Sequence, residues 1–489
     1  MNNKSLTSIS AASFLSDLAK DSLIYGGSDF TAKLVAFIAY PIIAAVLLPE
    51  EFGIVELITT STVLIGLIMN CGLNNSVQRF YWDKDTSKSD QPVLASSGFF
   101  VMIFFGLLVV ILGVLLMPML IAYVDNEKLP ITWVALISAI VLTASSQWLQ
   151  YLLDLTRLHF SAWSFFSLSL LSRVLGLGLS VIAVIWFGWR IDGIMAMLAF
   201  STLLILPLGV WLVRKDITKN FSLSWAKKLL KFGYPFIYAG IAFWIFGSMD
   251  RWMLAAFSSL DEVGVYSVSF RFASIVLLVS GAFSQAWSPI AMKIRTDAPD
   301  SYRSIYANVL LLLMFLMLLV GGALALFSGE VIRLIMTKEY MDSALPLSIL
   351  CFGIMLQATQ QVTAIGISIE KKTFLFARLA WITALVNFIL NWLLIPKYGA
   401  VGAAWATTAS YLVLTGSYLY YTQKLHALPI SWKRLNSILF LATCVCLVSV
   451  NFNNTDLIWS IVGIKIVFIV ILFFIGWFIL PIRSLKFAR

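Results

Sequence analysis

Apolar segments, each about as long as a helix needs to cross a bilayer, follow one another from residue 23 to residue 480 with only short polar links between them. Hydrocarbon offers no partner to a bare backbone N–H or C=O, so a run of about 20 apolar residues can cross it only with its own hydrogen bonds closed, as an α-helix. Fourteen such spans can be drawn: 23–48, 54–78, 93–122, 131–152, 160–187, 191–213, 232–257, 263–290, 305–327, 343–368, 374–395, 401–421, 436–452 and 457–480. The shortest is 436–452, which ends in NFNNTD. With a mean hydropathy of +0.93 and only 12% charged residues, the expected fold class is an all-α polytopic membrane protein of about 14 transmembrane helices. Soluble domains carry about 25% charged residues.

The net charge of +10 does not point to nucleic acid, because the cations are scattered between apolar blocks instead of gathered in one basic domain. Their placement speaks to orientation. If both termini are cytoplasmic, the inside segments hold 23 of the 34 Lys and Arg and the outside loops only 5. That asymmetry follows the positive-inside rule. A multi-pass protein of the bacterial inner (cytoplasmic) membrane is expected, with 1–22 a cytoplasmic lead-in too long and polar for a secretory signal, and 481–489 a cytoplasmic tail. Cys71, Cys351, Cys444 and Cys446 all fall in apolar segments with no metal or redox spacing, and read as small core residues.

Three short matches share one offset of 211 residues: Gly53 with Gly264, Gly188 with Gly399, and Gln150 with Gln361. Agreement over so long a distance suggests a duplicated six-span lobe. An N-lobe over 23–213, a basic cytoplasmic linker over 214–231 and a C-lobe over 232–421 are expected, followed by two further spans within 436–480. Six spans per repeat give both lobes the same orientation, hence a pseudo-twofold axis along the membrane normal and a central cavity.

Charge inside a span is the feature most informative about function, since each Arg, Lys or Asp at a helix centre costs about 2.5–3.5 kcal/mol to insert. Asp29, Lys33, Glu56, Arg173, Asp250, Arg251, Arg271, Arg378 and Lys465 are so placed. Arg378 is near enough to a cytoplasmic end to snorkel, and Glu56 lies toward the outer end. These charges either pair with one another or face a guest. Asp29 and Lys33 stand four apart with the acid first, the favourable order on one helix face. The neighbours Asp250 and Arg251 project about 100° apart, which predicts partners elsewhere for each. Leaving Lys465 aside, cations outnumber anions, and the excess is expected to face water, carbonyls or an anionic guest. The charges do not repeat at the 211-residue offset, as suits one head group held off-centre, and an arginine fork suits phosphate oxygens.

Polar runs within spans add a second layer. QATQQVTA sets Gln357 and Gln361 four apart, and ASSQWLQ sets Ser146 and Gln150 likewise. Such groups can bond sugar hydroxyls or join helix to helix. Catalytic constellations are absent: His159 and His426, the two histidines, are far apart in the sequence, and there is no Walker lysine motif. The longest outside loop, Ser328 to Asp342, is too short for the catalytic domain of a polytopic enzyme. No cofactor or metal is expected; the energy source is then an H+ or Na+ gradient, the membrane potential or the substrate's own gradient.

On MDRWMLAAFSSLDEVGVYSVSFRFA (Met249 to Ala273) and IPKYGAVGAAWATTASYLV (Ile395 to Val413), together with the span count, the chain resembles the Wzx-type lipid-linked oligosaccharide flippases. These form the polysaccharide-transporter branch of the multidrug/oligosaccharidyl-lipid/polysaccharide exporter superfamily. The resemblance implies two six-helix lobes about a cation-rich cavity, no enzymatic activity, and translocation of undecaprenyl-pyrophosphate-linked repeat units to the periplasmic leaflet for O-antigen, lipopolysaccharide or related surface polysaccharide. Pyrophosphate binding is carried over to Lys33, Arg251 and Arg271, with Arg173 as a further candidate. Asp250, Asp29 and Glu56 are expected to couple or gate, and Gln357, Gln361, Gln150 and Ser146 to line the cavity. The implied partners are the lipid-linked oligosaccharide, the bilayer and the polysaccharide polymerase machinery. A cation-coupled multidrug exporter of the same superfamily and a lipid II flippase are the alternatives.

Overall fold

A computed structural model describes residues 11–126, 129–159, 161–372, 374–452 and 459–480. In chain order its helices are α1 (Ala11–Ala44), α2 (Pro49–Asn70), α3 (Leu73–Tyr81), α4 (Asp90–Asn126), α5 (Trp133–Leu158), α6 (Ala162–Phe187), α7 (Arg190–Leu212), α8 (Leu223–Gly233), α9 (Pro235–Phe257) and α10 (Leu260–Ala273). There follow α11 (Val276–Asp297), α12 (Tyr302–Leu326), α13 (Ser328–Ile335), a 3-10 helix at Lys338–Ser343, α14 (Ala344–Ala358), α15 (Gln360–Thr363), α16 (Ile365–Ile369), α17 (Phe374–Leu425), α18 (Trp432–Asn451) and α19 (Trp459–Ile479). Among the described residues, 12 helices are long and apolar enough to cross a membrane, or 13 if the broken pair α8 and α9 is one span. The protein is thus an all-helical polytopic membrane protein, as its apolar segments demand.

The chain packs into two compact units: 1–36, 68–183 and 192–235 in one, and 37–67, 184–191 and 236–489 in the other. The first unit is knit by polar bonds across an apolar core that includes Leu73, Val77, Leu94, Met102, Leu152 and Leu229. Tyr151 donates to the Ala95 carbonyl at 2.7 Å and Trp148 to the Met102 carbonyl at 3.1 Å, tying α5 to α4. Part of the segment read as a basic linker is helix α8, and it is docked: Ser76 of α3 donates to its Leu229 carbonyl at 2.8 Å. Gly72, at φ +69°, lies so close to the backbone of Gly233 that no side chain fits.

In the second unit α14 is central, buried along almost its whole length, and it packs on α10, α12, α17 and α18. The outside loop expected over Ser328–Asp342 is instead helical: α13 and most of the 3-10 helix fill it, and Ser328, Glu330 and Tyr340 are buried. Tyr340 donates to the Leu47 carbonyl at 3.1 Å, which ties this segment to the end of α1.

Helix α17, at 52 residues, would be more than twice the length that about 30 Å of hydrocarbon needs at 1.5 Å per residue. It is broken at Gly399 (φ 50°, ψ −130°), a conformation closed to other residues. The Glu262 carboxylate accepts from the Ala400 N–H at 2.6 Å and holds that break. Glu51, 211 residues earlier, plays a like part, accepting from the Leu48 N–H at 2.9 Å and from the Arg190 guanidinium. The matched glycines Gly53 and Gly264 are also reciprocal: a Cβ on Gly53 would strike the Leu260 carbonyl, and one on Gly264 the Pro49 carbonyl. The first turns of α2 and α10 therefore cross backbone to backbone.

Candidate functional site

Four of the charges singled out in the sequence converge in the second unit. Glu56 projects from α2, Asp250 and Arg251 from α9, and Arg271 from the last turn of α10. The Glu56 carboxylate is the hub: one oxygen accepts from Arg271 Nη2, and the other lies 3.5 Å from Arg251 Nε. Arg251 also reaches its own neighbour, with Nη1 3.0 Å from Asp250 Oδ1 and 3.0 Å from the Gly247 carbonyl. The second Asp250 oxygen accepts from the Tyr266 hydroxyl, which lies 3.0 Å from Thr407 Oγ1 on α17. Aromatic rings complete the packing, with Arg251 5.0 Å from the Phe270 ring and Arg271 3.4 Å from that of Tyr40. Cations are attracted to ring faces at such distances.

The burial is graded. The side chains of Asp250, Arg251 and Glu56 are 2%, 7% and 7% exposed, whereas that of Arg271 is 25% exposed. Arg271 is therefore the member that a molecule outside the network can reach. Arg251 Nε and Arg271 Nε are buried without a hydrogen-bond partner. At 3.5 Å, Glu56 gives the Arg251 Nε–H Coulomb attraction but no well-formed hydrogen bond. Two acids and two bases thus form a compact neutral set with N–H donors to spare.

Asp250 and Arg251 each have a partner elsewhere, Tyr266 and Glu56 respectively. Contrary to their angular spacing they also meet each other: the long arginine stem curls back one helical turn over Gly247, where no side chain blocks it, and brings the guanidinium onto Asp250. Within this network the charges balance, Glu56 and Asp250 answering Arg251 and Arg271 one for one. Lys465 is paired as well, with Nζ 2.6 Å from Glu330 Oε1, an acid of the segment that had been read as a loop. Counting charges within spans alone overlooked acids at the helix ends.

Other expected site residues stand apart from this network. Arg173 lies on α6 in the first unit, exposed and without an ion-pair partner among the described residues. The side chains of Asp29 and Lys33 lie outside the described residues. Gln357 and Gln361 do not share one continuous helix, because α14 ends at Ala358 and α15 begins at Gln360. Gln357 keeps a buried Oε1 without a partner, and Gln361 is exposed. Ser146 bonds the Thr143 carbonyl of its own helix at 3.1 Å. Gln150 donates to Asp154 at 3.2 Å.

That last contact exposes a residue the sequence reading missed. Asp154 is buried in the first unit, where it accepts from Asn74 at 2.7 Å and has Arg157 at 3.6 Å. Its place just beyond the apolar run of α5 made it look like a loop residue. Asn387 and Asn391, fully buried on α17, were also passed over; they bond each other at 3.0 Å, and each retains one unpartnered atom. Two asparagines four apart in an apolar run were the available signal.

The model of one protein family, described as polysaccharide biosynthesis protein, matches residues 18–295. The chain belongs to the polysaccharide biosynthesis protein family. This Wzx-like family is one of transporters and flippases, not of enzymes. Among curated relatives the chain is 23% identical over 218 residues to a probable low-salt glycan biosynthesis flippase, Agl15, of Haloferax volcanii, covering 44% of this chain and 46% of that protein. It is 27% identical over 168 residues to the capsular polysaccharide biosynthesis protein CapF of Staphylococcus aureus, covering 33% and 42%. The chain spans about half the length of the curated relatives it matches. In fold it is similar to the lipid II flippase MurJ in an inward closed conformation, with a TM-score of 0.71 at 16% identity over 95% of this chain and all of that one. An inward-facing multidrug resistance transporter of the MATE family follows at a TM-score of 0.57 and 16% identity, over 83% of this chain and 96% of that one. The stretch matched to the polysaccharide biosynthesis protein family includes Glu56, Asp250, Arg251 and Arg271, whereas Thr407 lies beyond it.

Proposed function

We infer that the chain is a flippase for lipid-linked glycans in polysaccharide biosynthesis, and that its cargo is an undecaprenyl-pyrophosphate-linked oligosaccharide turned from the cytoplasmic to the outer leaflet. O-antigen or a related surface polysaccharide is the intended product. The observation that carries this reading is the buried Arg251–Glu56–Arg271 set in a member of the polysaccharide biosynthesis protein family. A pyrophosphate cannot be taken through hydrocarbon without replacement of its hydration. Arginine forks supply that replacement with paired N–H donors.

Arg271 meets the phosphate first, and the incoming oxygens compete with Glu56 for its guanidinium. Arg251, deeper and braced by Asp250 and Gly247, keeps the freed Glu56 from standing unpaired. A proton taken up by Glu56 would loosen both arginines at once, which is a route to ion coupling. Lys33 and Arg173 remain candidates for the same cargo, with Asp29 for coupling and Gln357, Gln361, Gln150 and Ser146 for its sugars. With the bent pair α8–α9 taken as one span and the two parts of α17 on either side of Gly399 counted separately, fourteen spans can be drawn among the described residues. That even number suits an inner-membrane protein with both termini cytoplasmic, lobes over 23–213 and 232–421 joined at 214–231, two added spans over 436–480, and alternating access by rocking of one lobe on the other.

The multidrug-exporter reading would need an acid free to hold a cationic drug. In this network both acids are committed to arginines. Reconstitution with fluorescent undecaprenyl-pyrophosphate oligosaccharide, beside a cationic dye as second cargo, separates the two. Movement of the glycolipid and not the dye is expected, and the reverse would overturn the assignment.

A further inference from the structure

The first unit holds a polar pocket of about 400 Å³ that the transport reading does not use. It is lined by Thr156, His159, Ser161 and Ser164 on one side, and by Trp211 through Asp216 on the other. Three candidate spans terminate at it: α5 ends at Leu158, α6 begins at Ala162 and α7 ends at Leu212. Where spans end, lipid headgroups begin, and the exposed rings of Trp163 and Trp211 beside the pocket suit that level.

The electrostatics are lopsided. Asp216, the one acid in the lining, is 3% exposed and turned inward. Its Oδ1 accepts from the Tyr81 hydroxyl at 2.6 Å, and its Oδ2 lies 2.5 Å from His159 Nε2. Ser96 donates to its backbone carbonyl at 2.9 Å and fixes the loop from the other side. Nearby Asp154 is likewise engaged, by Arg157 and Asn74. Arg214 and Lys215 are left exposed, without an ion-pair partner among the described residues. The Arg214 guanidinium sits 4.8 Å from the Trp211 ring, which steadies it at the rim. Ser161 donates to the Ser164 hydroxyl at 2.7 Å, which leaves the Ser164 proton as a donor at the start of α6.

We propose that this pocket binds the phosphate of an anionic phospholipid headgroup, with Arg214 and Lys215 as its counter-ions and Ser164 as a hydroxyl donor. Basic pockets where spans meet the aqueous phase are suited to such headgroups. The bond between His159 and Asp216 keeps the acid away from the phosphate and favours a protonated imidazole beside it. Nothing in the proposal depends on which cargo the protein carries.

The test is native mass spectrometry of the full-length protein in detergent, titrated with phosphatidylglycerol or phosphatidylcholine, and with inorganic phosphate as a competitor. A double variant, Arg214→Gln with Lys215→Gln, is compared with Lys227→Gln plus Lys231→Gln, which removes the same charge from exposed positions on α8. Phosphatidylglycerol should be retained in preference to phosphatidylcholine, and the pocket variant should retain it roughly tenfold less well, since each basic residue adds appreciably to headgroup attraction. The α8 variant should behave as wild type, and melting temperatures confirm that both are folded. Equal retention by the pocket variant, or equal loss in the α8 variant, would overturn the site. Displacement of the lipid by millimolar phosphate would reassign the pocket to a soluble anion and overturn the lipid source.

Discussion

Glu56 carries more of the second unit's electrostatics than its position near a helix end suggests. Removing its charge leaves Arg271 without its partner and Arg251 with Asp250 alone. Breaking a buried pair in this way typically costs about 3–5 kcal/mol. Glu56→Gln should accordingly lower the melting temperature in detergent by many degrees, and the double variant Glu56→Gln with Arg271→Gln should recover much of the loss. An unchanged melting temperature in the single variant would mean that the pairs contribute little. In the first unit His159 offers a cleaner titration. Its hydrogen bond to Asp216 raises its pKa above the ordinary 6.5, against opposing effects of burial and of Lys215, and Tyr81 bonds the same carboxylate. A raised folded pKa means a contribution to stability that is full below about 6.5 and is lost as pH climbs through the raised value. Thermal melts across that window should show the slope in wild type and a smaller one in His159→Gln. The charges themselves were legible in the sequence, since any charge in an apolar run stands out. Their pairing was not, because angular spacing treats a side chain as a fixed spoke while Arg251 bends back a full turn to Gly247.

Helices and their breaks follow from the apolar pattern and from glycine. Gly399 could be picked out by its 211-residue match with Gly188, and both take positive φ, +50° and +66°. Gly399→Ala should destabilise by roughly 1–3 kcal/mol from backbone strain alone, and a Cβ there would also displace Glu262 from the Ala400 N–H. Loss of folded yield or of thermal stability checks this. Gly264→Ala should do comparable harm, because its Cβ would meet the Pro49 backbone, which cannot move without shifting α2. Helix α13 and the 3-10 turn were not legible in the same way. Their polar residues read as loop, and their burial depends on Lys465 and Leu47, distant partners no local pattern reveals.

Across the whole molecule, hydropathy reveals a polytopic helical protein, and two motif stretches suffice to point at its family. What hydropathy alone leaves open is which intramembrane charges meet cargo, because structural pairs and binding pairs use the same residues. The network shows a gradient of access, from Asp250, 2% exposed, to Arg271, 25% exposed, and the proposed function assigns the contact with cargo to Arg271. If Arg271 only braces the fold, neutralising it together with Glu56 should restore both stability and transport. The most direct measurement is therefore translocation of labelled undecaprenyl-pyrophosphate oligosaccharide in proteoliposomes by wild type, by Arg271→Gln and by the Glu56→Gln, Arg271→Gln double variant, each matched for folded protein. Wild type is expected to move the lipid, and the double variant, though stable, to move it at least tenfold more slowly, the loss of about one charge-assisted bond to phosphate. Wild-type rates from the stable double variant would contradict this expectation.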